Sequence, residues 1–145
     1  MGNRAVITTQ FEDKNELKNQ LGIYLHWNGG KDSVDAFLTY CKLRGFRSAD
    51  SQYGMARLTQ IIANFFGGGT SIGIGTTDNM DCDNFDNGVY FTKDWSVVGR
   101  EYHKGKEQNE YKLIEMLTAI DNAQPETERL GIEVINQKLI EHGIQ

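Results

Sequence analysis

Gly22-Ile23-Tyr24-Leu25-His26-Trp27-Asn28-Gly29-Gly30-Lys31-Asp32-Ser33 (GIYLHWNGGKDS) changes its period part-way along. Residues 22–27 alternate, with Ile23, Leu25 and Trp27 on one face and Tyr24 and His26 on the other, the pattern of a half-buried strand. Two glycines then end the strand, and Asp32 or Ser33 is placed to cap a helix reaching about Leu43. In that helix Val34, Phe37, Leu38 and Cys41 recur at i, i+3, i+4 and i+7, and Gly45 supplies a stop.

Upstream, Arg4–Thr8 (RAVIT) is a short β-branched run that pairs antiparallel with residues 22–27, across a polar connection, Thr9–Leu21, with room for a short helix. Downstream, a second helix over about Tyr53–Phe66 buries Met55, Leu58, Ile61, Ile62 and Phe65. Ser71–Gly75 (SIGIG) reads as a strand whose alternate glycines allow close approach on one face. Asp86-Asn87-Gly88 is a turn signal leading into Val89–Thr92, a tight turn at Lys93-Asp94 and a strand over Trp95–Arg100. A third helix, about Glu107–Ile120, and a tail helix, about Leu130–His142 with Ile132, Ile135 and Leu139 on one stripe, complete the chain. The expectation is one α+β domain over residues 1–145, a mainly antiparallel sheet packed by about four helices. The tail helix docks either on its own core or on a neighbouring subunit.

With 145 residues, 39% hydrophobic and 24% charged, the chain has the composition of a globular domain. Its formal charge of −5 repels nucleic-acid polymers, so an anionic ligand must be held by a local cluster of donors. Cys41 and Cys82 make no disulfide framework, which points to a reducing compartment. No apolar run approaches the roughly 18–20 residues of a membrane span, and no secretion-signal pattern opens the sequence. The expected location is the cytoplasm.

Three segments could carry chemistry. In His26–Ser33 a strand ends in glycines ahead of a helix start, a geometry that aims backbone N–H groups and the positive helix end at an anion, with Lys31 adding charge. The same glycines could equally serve only to turn the chain. Asp78–Asn87 (DNMDCDNFDN) holds four aspartates but no register of the EF-hand pattern, so a polar turn with Asx hydrogen bonds is the simpler reading. Phe85 within it could stack on a base. Arg100–Lys106 (REYHKGK) carries Arg100, Tyr102, His103 and two lysines between a strand and a helix, suited to a phosphate and a base or simply to a solvated loop. Arg57 stands apart, a cation inside an apolar helix, able to cover apolar surface or reach a site.

Nucleophilic catalysis has little support. Cys41 falls on a core stripe, and Cys82 lies between carboxylates that raise its thiol pKa. His26, His103 and His142 are scattered without metal-ligand spacing, and no cofactor fingerprint is present.

Gly29, Gly30, Asp32 and Ser33 resemble the phosphate-binding loop of the PP-loop ATP pyrophosphatases, Ser-Gly-Gly-x-Asp-Ser, with Asn28 in place of the leading serine. That resemblance implies magnesium-dependent cleavage of ATP to AMP and pyrophosphate. The parallel strands that such a fold alternates with helices are not apparent in the sequence. A third reading is an acidic protein-binding inhibitor that uses the Asp78–Asp86 loop to mimic nucleic acid.

A wider resemblance rests on residues 2–8 (GNRAVIT), 22–33, 53–68 (YGMARLTQIIANFFGG), 83–90 (DNFDNGVY) and 98–100 (VGR). Together these are similar to small prophage and mobile-element proteins that include the phage Thoeris anti-defence sponges. The resemblance implies a non-enzymatic protein without cofactor, a homo-oligomer from dimer to hexamer, with ligand pockets between subunits. It would sequester cyclic ADP-ribose isomers, and in some cases cyclic oligonucleotides, in the bacterial host cytoplasm. A sponge needs tight binding without turnover. On that reading Lys31, Arg57 and Arg100 would pair with pyrophosphate, Trp27, Phe85 or Tyr102 would stack on adenine, and Asn28 and His103 are further ligand-binding candidates.

Overall fold

The computed structural model describes residues 3–8, 20–68 and 71–144. The connection read over Thr9–Leu21, with its short helix, therefore lies outside the described residues except at its end. Strands β1 (Ala5–Thr8), β2 (Leu21–Leu25), β3 (Ile72–Thr76), β4 (Val89–Lys93) and β5 (Ser96–Glu101) form a five-stranded sheet in the order β3-β2-β1-β4-β5. Helices α1 (Lys31–Leu43), α2 (Ser51–Phe65), α3 (Leu113–Asn122) and α4 (Ile132–Glu141) complete the α+β domain.

β1 pairs antiparallel with β2, Ala5 opposite Leu25 and Thr8 opposite Gly22, as the two apolar runs foretold. β2–β3 and β4–β5 are antiparallel too. The centre differs. β1 runs parallel to β4, with Val6 opposite Val89, so the sheet is mixed. The chain leaves β3 at one edge and crosses the sheet through residues 77–88 before entering β4, and that crossover permits the parallel pair.

Alternation along the strands divides the core. Ala5, Ile7, Ile23, Leu25 and Tyr90 face the helices and pack with Phe37, Leu38, Leu58, Ile61, Leu117 and Ile120. Val6, Val89 and Phe91 face the other way, where Tyr24, Met80 and Cys82 lie against them. The crossover thus shields the side of the sheet that carries no helix. α1 is buried at Val34, Phe37, Leu38, Tyr40, Cys41 and Leu43 and touches α2, α3 and α4. The tail helix docks on this same core through Ile135 and Leu139, leaving Ile132, Val134 and Ile140 exposed on its outer side. Among the described residues no helix is long and apolar enough to cross a membrane.

Several boundaries differ from the sequence reading, each for a local reason. α1 takes Gly30 as its N-cap, without a side-chain cap. Asp32, expected as a cap, instead reaches with Oδ2 to the backbone N–H groups of Glu110 (2.8 Å) and Tyr111 (3.0 Å). Residues 107–112 are held non-helical over that helix start, so α3 begins at Leu113, not at Glu107. Asp50 caps α2 by accepting the Tyr53 N–H, which starts that helix at Ser51. The β4–β5 turn is Asp94-Trp95, both at positive φ as a type I′ turn requires, and Trp95 is buried with its indole N–H donated to Phe46 O.

Candidate functional site

At one end of the sheet β2 finishes, β1 and β4 begin and β5 leaves. The three segments singled out from the sequence converge there. Backbone bonds extend the pairing beyond the strands: Asn3 N–H donates to His26 O at 3.3 Å and Gly29 N–H to Asn3 O at 2.9 Å. Gly29 lies so close to β1 that a Cβ would stand 2.5 Å from Asn3 O and 2.8 Å from Ala5 Cβ. The glycine is required by this contact with β1. The Tyr90 hydroxyl closes the joint by donating to Gly29 O at 2.7 Å, and burial pushes its phenol pKa up, keeping the donor protonated.

The acidic loop is organised from within by Asn84, which is fully buried. Its Oδ1 accepts the N–H groups of Asp86 (3.1 Å) and Gly88 (3.0 Å), and its Nδ2 donates to Asp81 O (2.9 Å). Asp86 accepts Arg4 Nε at 2.7 Å. Asn87 bridges to β1, donating to Asn3 Oδ1 at 2.6 Å, and its two oxygens take Arg100 Nε (3.1 Å) and Nη2 (3.2 Å). Arg100 also pairs with Glu107 at 2.5 Å and lies 4.4 Å over the Tyr90 ring. Its guanidinium therefore ties three segments together. Among the described residues no cluster of three His, Cys, Asp or Glu side chains is placed to hold a metal ion.

Between the acidic loop and the 104–110 segment lies a cleft of about 550 Å³, lined among others by Asn3, Phe85, Asn87, Lys104, Lys106 and Gln108. That volume falls within the usual range of small-molecule sites. Phe85 is 71% exposed, and Lys104 Nζ lies 4.7 Å over its ring while reaching Asp83 at 3.2 Å. Among the described residues, three of the five non-glycine residues at positive φ gather around this end: Asn28 (56°), Phe85 (64°) and Tyr102 (62°). Bulky residues in the left-handed region are strained, and such strain concentrates where a side chain must be aimed.

No protein-family model, curated protein or solved structure matches this chain.

The sequence candidates separate into three groups. Phe85 lines the cleft, and Tyr102 and His103 stand in the strand exit beside it. Tyr102 is exposed, whereas Nε2 of His103 is buried and finds no hydrogen-bond partner among the described residues. Trp27, Asn28 and Lys31 flank the same end but are differently engaged. Trp27, predicted on the core face of β2, lies beyond the strand, 45% exposed and edge-on to His26 at 4.7 Å, because the chain turns at Asn28. Asn28 Nδ2 donates to Ser33 Oγ at 3.2 Å, and Lys31 pairs with Asp35 at 2.6 Å along its own helix. Arg57 is elsewhere, beside Tyr53 and Phe46 near the far end of α1.

Sequence reasoning held Lys106 within the basic stretch and Asn87 within the acidic one, but missed Asn3 and Gln108 as lining and Asn84 as the scaffold. The Asx-rich composition of residues 78–87 held the signal for Asn84 and Asn87, and it identified a turn without naming its pivot. Neither thiol is poised for attack at neutral pH. Burial raises the Cys41 pKa, and burial followed by Asp81 and Asp78 raises that of Cys82.

Proposed function

We propose that the protein is a non-enzymatic binding protein that sequesters a small nucleotide-derived signal in the cleft at the head of the sheet. The signal would be a cyclic ADP-ribose isomer, or in some cases a cyclic oligonucleotide. Its capture in the bacterial cytoplasm suppresses anti-phage defence. The observation that carries this reading is the pair Phe85 and Lys104. An exposed ring held by strained backbone offers a stacking face for a base, with an ammonium group at the same ring for a phosphate. Lys106 and Gln108 supply further donors along the wall, which Asp86, Glu107 and Glu110 also line.

Two further observations favour binding over turnover. The Asp32 carboxylate, which a pyrophosphatase loop would turn towards metal and nucleotide, is engaged by Glu110 and Tyr111 N–H groups. Both thiols are held protonated at neutral pH. The similarity to anti-defence sponges adds homo-oligomerisation to the reading, and the exposed Ile132, Val134 and Ile140 of α4 offer apolar surface for it.

The deciding experiment incubates the protein with cyclic ADP-ribose isomers, measures depletion of free ligand, then heat-denatures the protein and analyses what is released. Depletion followed by recovery of intact ligand is the expected result. Degraded ligand would reveal an enzyme, and absence of depletion would remove the proposed ligand class.

A further inference from the structure

We infer that the protein carries a second ligand site, for a small oxyanion of the phosphate or pyrophosphate class, between the end of α1 and the start of α2. Arg44 follows the last residue of α1, Arg47 lies in the connection and Arg57 is two turns into α2. All three guanidinium groups lie over aromatic rings. Arg44 is 5.1 Å from the Phe46 ring centre, Arg47 is 4.2 Å from that of Tyr53, and Arg57 is 4.9 Å from Tyr53 and 5.9 Å from Phe46. Stacking fixes the plane of a guanidinium while leaving its edge N–H donors free for a forked bond to an oxyanion. Few of those donors are occupied, with Arg57 Nη1 reaching Gln60 Oε1 at 3.2 Å and Arg44 Nη1 reaching the Tyr40 hydroxyl at 3.5 Å.

Apart from Glu128, the neighbouring carboxylates are committed elsewhere. Asp50 caps α2, Asp94 accepts the Ser48 hydroxyl, and Asp121 accepts from Tyr40, Leu130 and Gly131. Among the described residues none of these three arginines makes an ion pair, whereas Arg4, Lys31, Arg100 and Lys104 each do. Arg44 and Arg57 share their concavity with one carboxylate, Glu128, so in a chain of net charge −5 this is a place where cations are in local excess and an external anion is favoured.

The concavity lined by Arg44 and Arg57 has a volume of about 220 Å³, with Phe46, Tyr53, Gln60 and Glu128 in its wall, while Arg47 lies outside it against Tyr53. That is below the roughly 300–1,000 Å³ of sites that enclose a drug-sized ligand, so the fit is to an oxyanion alone. α1 separates this place from the cleft by its own length, about 20 Å for 13 residues. The two sites therefore fill independently.

The test is a titration of the full chain with inorganic pyrophosphate at low ionic strength, following the arginine Nε–Hε resonances. Saturable shifts of Arg44 and Arg57 are expected, with a dissociation constant on the order of 0.1–1 mM. Arg57→Gln and Arg44→Gln should each weaken binding about tenfold. Arg44 is half-buried just past the end of α1, so its variant keeps the fold even if Arg57→Gln does not. Glu128→Gln should tighten binding by removing a like charge, and Phe85→Ala should leave it unchanged. Absence of shifts up to about 10 mM, or shifts that survive both arginine variants, would overturn the site. Loss of the shifts in Phe85→Ala would assign the anion to the cleft instead and overturn it as well.

Discussion

Oδ1 of Asp121 accepts the Tyr40 hydroxyl at 2.5 Å in the interior of the helical layer. The same carboxylate takes the backbone N–H groups of Leu130 (2.8 Å) and Gly131 (3.0 Å), so one side chain joins α1, α3 and the entry to α4. Burial raises the Asp121 pKa, but these three donors outweigh it and leave it below the usual carboxylate value. The stabilisation is thus complete above the unfolded-state value near about pH 4 and is lost as pH falls through the lower folded value. Thermal melts from pH 7 downward should show an acid-side fall that Asp121→Asn largely abolishes. At neutral pH that variant should cost about 1–3 kcal/mol, since an amide leaves one N–H without its acceptor. Equal acid sensitivity in both proteins would place the titrating group elsewhere.

Gly88 stands at φ +72°, and a Cβ there would lie 2.0 Å from Glu101 O. Gly88→Ala should destabilise by on the order of 3 kcal/mol, combining strain with a backbone clash. Chemical denaturation would measure it, and a change below about 1 kcal/mol would mean that the β4–β5 exit yields more readily than its packing indicates.

Phe85 trades stability for exposure. Phe85→Asn should hold or slightly raise the melting temperature, because asparagine tolerates the left-handed region that phenylalanine resists. Ligand affinity should fall about tenfold or more with loss of the stacking face. A variant that melts lower yet binds equally well would show the ring to be structural.

Asp32→Ala should free residues 107–112 without unfolding the domain. Hydrogen exchange at the Glu110 and Tyr111 amides should lose its protection, with a global cost of about 1–2 kcal/mol. Unchanged protection at both amides would refute the tether.

The legible parts of the sequence were those where one local period governs. Alternation over residues 22–25 and the 3.6-residue stripes of α1 and α2 placed their apolar faces correctly, because each stripe meets a single continuous core. Partnerships set at a distance were not legible. Nothing local in Arg4–Thr8 says that its second neighbour is β4, and nothing in Glu107–Lys112 shows that Asp32 keeps it from becoming helix. The candidate site behaves alike: Phe85 and Lys104 were visible singly, but their meeting depends on Asn84 and Asn87 folding the loop back onto β1.

The parallel pairing of β1 with β4 also governs how the chain reaches this state. Thr8 bonds to Tyr90 across 82 residues, so the central ladder closes late and against a large loop entropy. Until then one side of the apolar β1 strand is an open edge that another chain can occupy. Nascent or truncated chains that end before Val89 should therefore aggregate, and slow synthesis through residues 9–88 should lower the yield of folded protein more than slow synthesis after β4.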